Sequence, residues 1–184
     1  MRVIAGTARR ILLKTVDGLE TRPTTDRIKE TLFNILQPDL PGARVLDLFS
    51  GSGALGIEAL SRGAGYCVFV EKAPEAVKCI QANLTATHLE ARSRVMITDV
   101  QNALSRMDGA EKPFDLVLMD PPYRKGLELE ALSRLSESSL IDEYTIIVVE
   151  TALDTELDEA SDLGYYCYRV KDYKTNRHFF LQKK

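Results

Sequence analysis

The chain has too few cysteines, and too irregularly placed, to be held by disulfides or a structural zinc ion. Three occur in 184 residues, Cys67, Cys79 and Cys167. An odd, widely spaced set matches neither a disulfide framework nor a zinc pattern. Free thiols in a reducing cytoplasm are expected. No apolar stretch approaches the ~20 residues that cross a bilayer. The opening Met1-Arg2-Val3-Ile4-Ala5-Gly6 is not followed by the apolar core of a signal peptide. A cytoplasmic location and no membrane partner are expected. The sequence has no repeat, no low-complexity segment and no clustered ligands for a metal, so no metal is predicted.

What is present suits one α/β domain with a small extension. At 45% hydrophobic residues the chain can bury a full core, and at 28% charged it should stay soluble. The net charge of −3 hides an asymmetry. Residues 1–29 carry seven Lys/Arg against three Asp/Glu, and residues 169–184 carry six against Asp172 alone. The stretch between is therefore strongly acidic. Basic ends on an acidic body point to an anionic partner held near the termini, although solvated surface charge would look the same. A small net charge does not argue against nucleic acid, which needs only a local basic face.

Val3–Ala5 and Ile11–Leu13 flank Gly6-Thr7-Ala8-Arg9-Arg10, a predicted hairpin with a basic tip. Asp17-Gly18 signals a turn. Arg22-Pro23-Thr24-Thr25-Asp26 opens a helix with a capping threonine and an acidic first turn. Ile28, Leu32, Ile35 and Leu36 give that helix one apolar stripe. Pro38 and Pro41-Gly42 end it, and divide an extension, residues 1–41, from a main domain, residues 42–184. From there strands and helices alternate. Strands are predicted at 45–49, 66–71, 94–98, 114–120 and 144–150. Helices are predicted at 54–61, 74–89, 100–107, 127–136 and 154–161. A closing antiparallel hairpin pairs 165–170 with 178–182. This pattern predicts a seven-stranded, mostly parallel Rossmann-like sheet with helices on both faces.

Two turns carry the chemistry. Asp47-Leu48-Phe49-Ser50-Gly51-Ser52-Gly53-Ala54-Leu55-Gly56 joins the first strand to its helix, where small residues let the backbone approach a ligand. Glu71 lies 20 residues after Gly51, at the end of the next strand, placed to accept both hydroxyls of a ribose. The glycine spacing alone also fits a nicotinamide-dependent oxidoreductase or a non-catalytic nucleotide-binding module. Asp47 favours a cationic ligand over a pyrophosphate, and S-adenosylmethionine is cationic. Asp99, beyond the third strand, could reach an adenine amine or simply cap the following helix.

The fourth strand runs into Asp120-Pro121-Pro122-Tyr123. Two prolines fix the chain stiffly as it leaves the sheet. An exocyclic amine on a base is a poor nucleophile because its lone pair spreads into the ring. The Asp120 carboxylate and the Pro121 carbonyl could accept its hydrogens and favour a pyramidal nitrogen. Tyr123 could stack on the base and hold it in line. This turn would have no role in an oxidoreductase.

With those residues in view, the chain resembles the RsmD family of class I S-adenosylmethionine-dependent methyltransferases. The likeness rests on Arg2–Gly6, Thr21-Arg22-Pro23-Thr24-Thr25-Asp26-Arg27, Leu32–Leu36 and Asp47–Gly63, and covers essentially the whole chain. It implies methylation of the exocyclic N2 of a particular guanine in 16S ribosomal RNA, within the small subunit or an assembly intermediate. It places Asp47, Phe49, Ser50, Gly51, Gly53, Glu71, Lys72, Asp99 and Val100 at S-adenosyl-L-methionine positions. It places Asp120, Pro121, Pro122 and Tyr123 at the catalytic turn. Arg2, Arg9, Arg10, Lys14, Arg22 and Arg27 become candidates to hold RNA phosphates. Tyr173, Arg177 and His178 would either line the substrate side or pack as ordinary surface. DNA adenine or a protein amide is the alternative substrate class. A monomer is expected.

Overall fold

The computed structural model describes residues 1–16 and 26–184. The predicted Asp17-Gly18 turn, Arg22 and the proline–threonine start of the first helix lie outside the described residues.

Seven strands form one sheet, and its central strands are apolar runs buried on both faces, whereas the edge strands are partly or largely exposed. The seven are β1 (Arg44–Leu48), β2 (Tyr66–Glu71), β3 (Ser93–Ile97), β4 (Leu116–Met119), β5 (Ile146–Ala152), β6 (Tyr165–Asp172) and β7 (Asn176–Lys183). The order across the sheet is β3-β2-β1-β4-β5-β7-β6. β1 to β5 run parallel, and β7 lies antiparallel between β5 and β6. The order reverses between β1 and β4, which is where an open α/β sheet leaves a crevice beyond its strand ends.

The helices are α1 (Asp26–Leu36), α2 (Ala54–Ser61), α3 (Pro74–Thr87), α4 (Val100–Met107) and α5 (Leu127–Ser136). Two cores result. Leu104, Met107, Leu132 and Leu135 of α4 and α5 pack on one sheet face with Leu46, Val68, Val117 and Val149. Phe33 and Leu36 of α1, Ile57 and Leu60 of α2, and Ile80 and Leu84 of α3 pack on the other with Val45, Phe69, Leu118, Val148 and Phe180. Val3, Ala8 and Leu13 of the extension belong to this second core.

Several expectations are corrected. The N-terminal hairpin forms but is short: Val3 N–H donates to the Ile11 carbonyl (2.9 Å), Arg10 N–H to the Val3 carbonyl (2.9 Å) and Leu13 N–H to the Met1 carbonyl (3.0 Å), around one bridge between Arg2 and Leu12. Its other backbone groups bond to α2: Thr7 N–H donates to the Ser61 carbonyl (2.8 Å), and Ile4 N–H to the Glu58 carboxylate (2.8 Å). The predicted helix over 154–161 is only a 3-10 turn, Asp158–Ser161. Only Leu157 and Ala160 there are buried, enough apolar surface for one turn. β4 is shorter than 114–120, and α3 stops at Thr87, with His88 capping it in the left-handed region (φ 57°). The buried stripe of α1 is Lys29, Leu32, Phe33 and Leu36, not the one read from the apolar residues alone.

Candidate active site

Both sequence-predicted turns leave the sheet at the switch point. Leu48 pairs with Met119, so the chain after each enters the crevice side by side. Strand alternation then decides which side chains meet. Asp47 shares a face with Leu118, and Glu71, Asp120 and Glu150 follow two residues after Phe69, Leu118 and Val148 of that same face. Four carboxylates thus continue the second core at its carboxyl edge.

The glycine turn is braced from within. Phe49 (φ 59°), Gly51 (φ 55°) and Gly53 (φ 78°) all adopt left-handed backbone. Ser50 is buried; its Oγ donates to the Asp47 carbonyl (2.6 Å) and accepts from Val70 N–H (3.0 Å). A side chain on Gly51 would meet nothing within 4 Å, so its absence leaves an open cradle beside the turn. A Cβ on Gly56 would lie 2.4 Å from the Phe69 ring, so glycine there lets α2 sit close on β2. Glu71 accepts from Gly51 N–H (2.9 Å) and from Lys72 and Ala73 N–H (2.8 Å each). It holds two strand ends together while keeping a lone-pair face for another donor. Lys72 is exposed.

Asp47 differs from its sequence reading in one respect: it is not a free charge at the mouth. It is 1% exposed and accepts from Gly56 N–H (3.0 Å). Burial, opposed by that hydrogen bond and reinforced by Glu71, pushes its carboxyl up to about 7. Asp99 is the N-cap of α4, accepting from the backbone N–H (2.9 Å) and the side-chain amide (2.6 Å) of Asn102. Val100, the first residue of that helix, is buried.

At the second turn Pro121 is buried, Pro122 exposed, and Asp120 and Tyr123 partly covered. Burial, then the charges of Glu150 and Asp47, hold the Asp120 carboxyl well above its ordinary range. The Tyr123 hydroxyl donates to Glu150 Oε1 (2.7 Å). Arg124 follows in left-handed backbone (φ 61°), turning the chain back toward α5. Glu150, His178 and Asn176, the first two of them sharing the Tyr123 network, were missed or misread in the sequence. His178, expected either to line the substrate side or to pack as ordinary surface, is fully buried with Nε2 2.9 Å from Glu150 Oε2. The only signal for the pair was strand register, which the sequence does not state.

Of the basic candidates, Arg9, Arg10, Lys14 and Arg27 are exposed. Arg2 is exposed too but tied to Asp26 (Nε to Oδ2, 3.1 Å). The extension is clamped by a buried charge cluster. Glu58, fully buried, meets Lys29 Nζ (3.3 Å) and Arg62 Nε (2.8 Å) and accepts from Ile4 and Ala5 N–H. Asn83 makes a second link: its side chain accepts from Lys14 N–H (2.7 Å) and donates to the Lys14 and Ser52 carbonyls (2.9 Å each).

A family model described as conserved hypothetical protein 95 matches residues 1–181. The chain is 40% identical over 159 residues to YlbH of Bacillus subtilis, provisionally named an rRNA methyltransferase, covering 86% of each. It is 38% identical over 157 residues to ribosomal RNA small subunit methyltransferase D of Escherichia coli K12, covering 85% of this chain and 77% of that one. A solved Escherichia coli structure, provisionally named a methyltransferase, superposes with a TM-score of 0.86 at 34% identity, covering 100% and 98% of the two chains.

Proposed function

The chain belongs to the RsmD family, and from that premise we propose that it methylates the exocyclic N2 amine of a specific guanine in 16S ribosomal RNA. The substrate in this reading is the small ribosomal subunit or an assembly intermediate, in the cytoplasm, and the enzyme acts as a monomer. The observation that carries it is the Asp120–Tyr123 turn emerging beside the glycine turn at the strand-order reversal.

S-adenosylmethionine supplies the electrophilic methyl group when bound. The residues present fit it: the open cradle at Gly51, the Asp47 carboxylate beneath the glycine turn for a cationic ligand, and Glu71 with acceptor capacity for ribose hydroxyls. Asp99 takes the adenine end and Ser50 stiffens the turn. A cation settling near Asp47 and Asp120 favours their ionised forms, opposing the burial that raises both. Asp120 and the Pro121 carbonyl accept the amine hydrogens and stabilise positive charge as it develops on nitrogen. Tyr123 stacks on the base, which is unstacked from its helix to reach the crevice. Residues 1–41 serve as an RNA-gripping extension on the catalytic body 42–184, with Arg9, Arg10, Lys14 and Arg27 toward phosphate.

The test supplies radiolabelled S-adenosylmethionine with small subunits lacking the modification, free 16S RNA, or duplex DNA, and maps the labelled nucleoside. Label in N2-methylguanosine from subunits is expected. Label only in DNA adenine, or in protein, would overturn the guanine assignment while keeping the chemistry.

A further inference from the structure

Glu150 sits where a carboxylate is costly. It is 5% exposed in the carboxyl-terminal half of β5, inside the sheet, and an unpartnered charge there would not be tolerated. Both of its oxygens are taken. Oε1 accepts from the Tyr123 hydroxyl at 2.7 Å and Oε2 faces His178 Nε2 at 2.9 Å. The antiparallel register sets Glu150 directly opposite His178, so both side chains leave the sheet on one face. Burial works to raise the Glu150 carboxyl, but hydrogen bonds from His178, Tyr123 and Asn176 outweigh it and hold it below its ordinary value.

His178 occupies its place at a cost. Its ring is fully buried, edge-on to Tyr173 (4.9 Å between centroids), and its Nδ1 has no hydrogen-bond partner among the described residues. A buried polar atom left unsatisfied calls for an explanation. The return is the bond to Glu150, which fixes a carboxylate that reaches across to Tyr123 on the loop after β4. Tyr123 stands on that loop, two residues beyond the end of the Asp-Pro pair, with a half-covered ring. Packing alone leaves such a ring freer to turn than a charge-assisted O–H···O⁻ bond does.

We infer that Glu150 is a positioning residue for Tyr123, held in turn by His178. It touches no reacting atom and works by fixing the ring on which the base is stacked. The inference rests on the stacking role proposed for Tyr123. A rival route exists on the same geometry: Glu150 could act through its charge on the neighbouring Asp120. The two routes respond differently to one substitution. Glu150→Gln removes the charge but keeps an oxygen that accepts from Tyr123.

The experiment measures single-turnover and steady-state methyl transfer on whichever substrate accepts label, with S-adenosylhomocysteine affinity by calorimetry. The variants are Glu150→Ala, Glu150→Gln, Tyr123→Phe and the Glu150→Ala/Tyr123→Phe double variant. Tyr123→Phe and Glu150→Ala should each lower kcat roughly ten-fold, the loss of one charge-assisted hydrogen bond. The double variant should lose no more than either single, because both break one link. Glu150→Gln should recover most of the loss, and S-adenosylhomocysteine affinity should not change. If Glu150→Gln is as slow as Glu150→Ala, or the single losses multiply in the double variant, the inference is wrong and the charge on Asp120 is the route. Full activity in Tyr123→Ala would sink the stacking role itself, whereas an inactive Tyr123→Ala beside a fully active Glu150→Ala would sink only the inference. Glu150→Met fills the site without an acceptor if alanine impairs folding. A crystal structure of either acceptorless variant needs no substrate: the Tyr123 ring should be displaced, and a ring left in place would overturn the inference.

Discussion

Glu58 is the residue whose loss should cost the fold most for the smallest change in shape. Its carboxylate has no exposed surface and collects four donors: two backbone N–H groups of the extension, Lys29 and Arg62. Glu58→Gln keeps the volume but removes the negative charge at the centre of the cluster. Arg62 retains Asn34 Oδ1 (3.0 Å) and Gln37 Oε1 (3.4 Å) and the face of Phe33. Among the described residues Lys29 keeps the Arg2 carbonyl (2.7 Å) as its hydrogen-bond acceptor, with its side chain fully buried. Breaking one partner out of a buried pair costs about 3–5 kcal/mol. A domain of this kind has about 5–15 kcal/mol to lose. Burial already lowers the Lys29 pKa from 10.5, and Glu58 is the chief influence opposing that. In the variant Lys29 gives up its proton more readily still. The unfolded chain then binds more protons than the folded one at every pH between the folded value and 10.5. Stability of the variant must therefore rise with pH in that window, by up to about 1.4 kcal/mol per unit. Urea unfolding of wild type and variant from pH 6 to 9, with linear extrapolation, measures both effects. A deficit below about 1 kcal/mol at neutral pH, or one that does not shrink as pH rises, would refute the reasoning.

Asp47→Asn should stabilise the ligand-free protein. Asp47 titrates near 7 folded against 3.8 unfolded, so wild type loses stability as pH rises between these values; the variant's advantage should grow over that range and level off above it in denaturant titrations. Gly56→Ala should destabilise by about 1–3 kcal/mol: the helix gain of at most about 1 kcal/mol is outweighed by overpacking against Phe69, and an unchanged or higher Tm would show that the ring moves freely. Asp120→Ala should bind S-adenosylhomocysteine as wild type does and lose most methyl transfer; equal loss of both would point to a structural role. Reversing Arg9 and Arg10 to Glu should weaken binding to small subunits and reduce the salt slope of log K by about 2, and unchanged affinity and slope would remove the extension from the RNA interface.

The order of strands and helices was legible because parallel strands buried on both faces read as continuous apolar runs, while the glycines and prolines mark where the chain must turn. The two site turns were legible for the same reason, since their chemistry is local. Long-range partnership was not. Nothing local in α1 marks Lys29 as buried; Glu58 arrives from α2 to pair with it. His178 reads as substrate-lining or surface until the β5–β7 register sets it against Glu150. Asp47 was correctly seen beside the glycine turn, but the turn folds back over it and takes its carboxylate for Gly56. The N-terminal hairpin was legible in its two apolar runs, but the bonds that its Ile4, Ala5 and Thr7 N–H groups make to α2 were not, because no local pattern announces them.

Asn83 makes the extension and the glycine turn share one amide. Its two side-chain hydrogens are divided between the Lys14 and Ser52 carbonyls, and it is 1% exposed. Lifting the extension off α3 strands that amide and loosens its hold on Ser52; drawing the turn tighter around a ligand restrains the amide and so the extension. Linkage makes such a dependence mutual. Whatever free energy an occupied glycine turn lends to the docking of residues 1–16, a docked extension returns to the affinity of the turn.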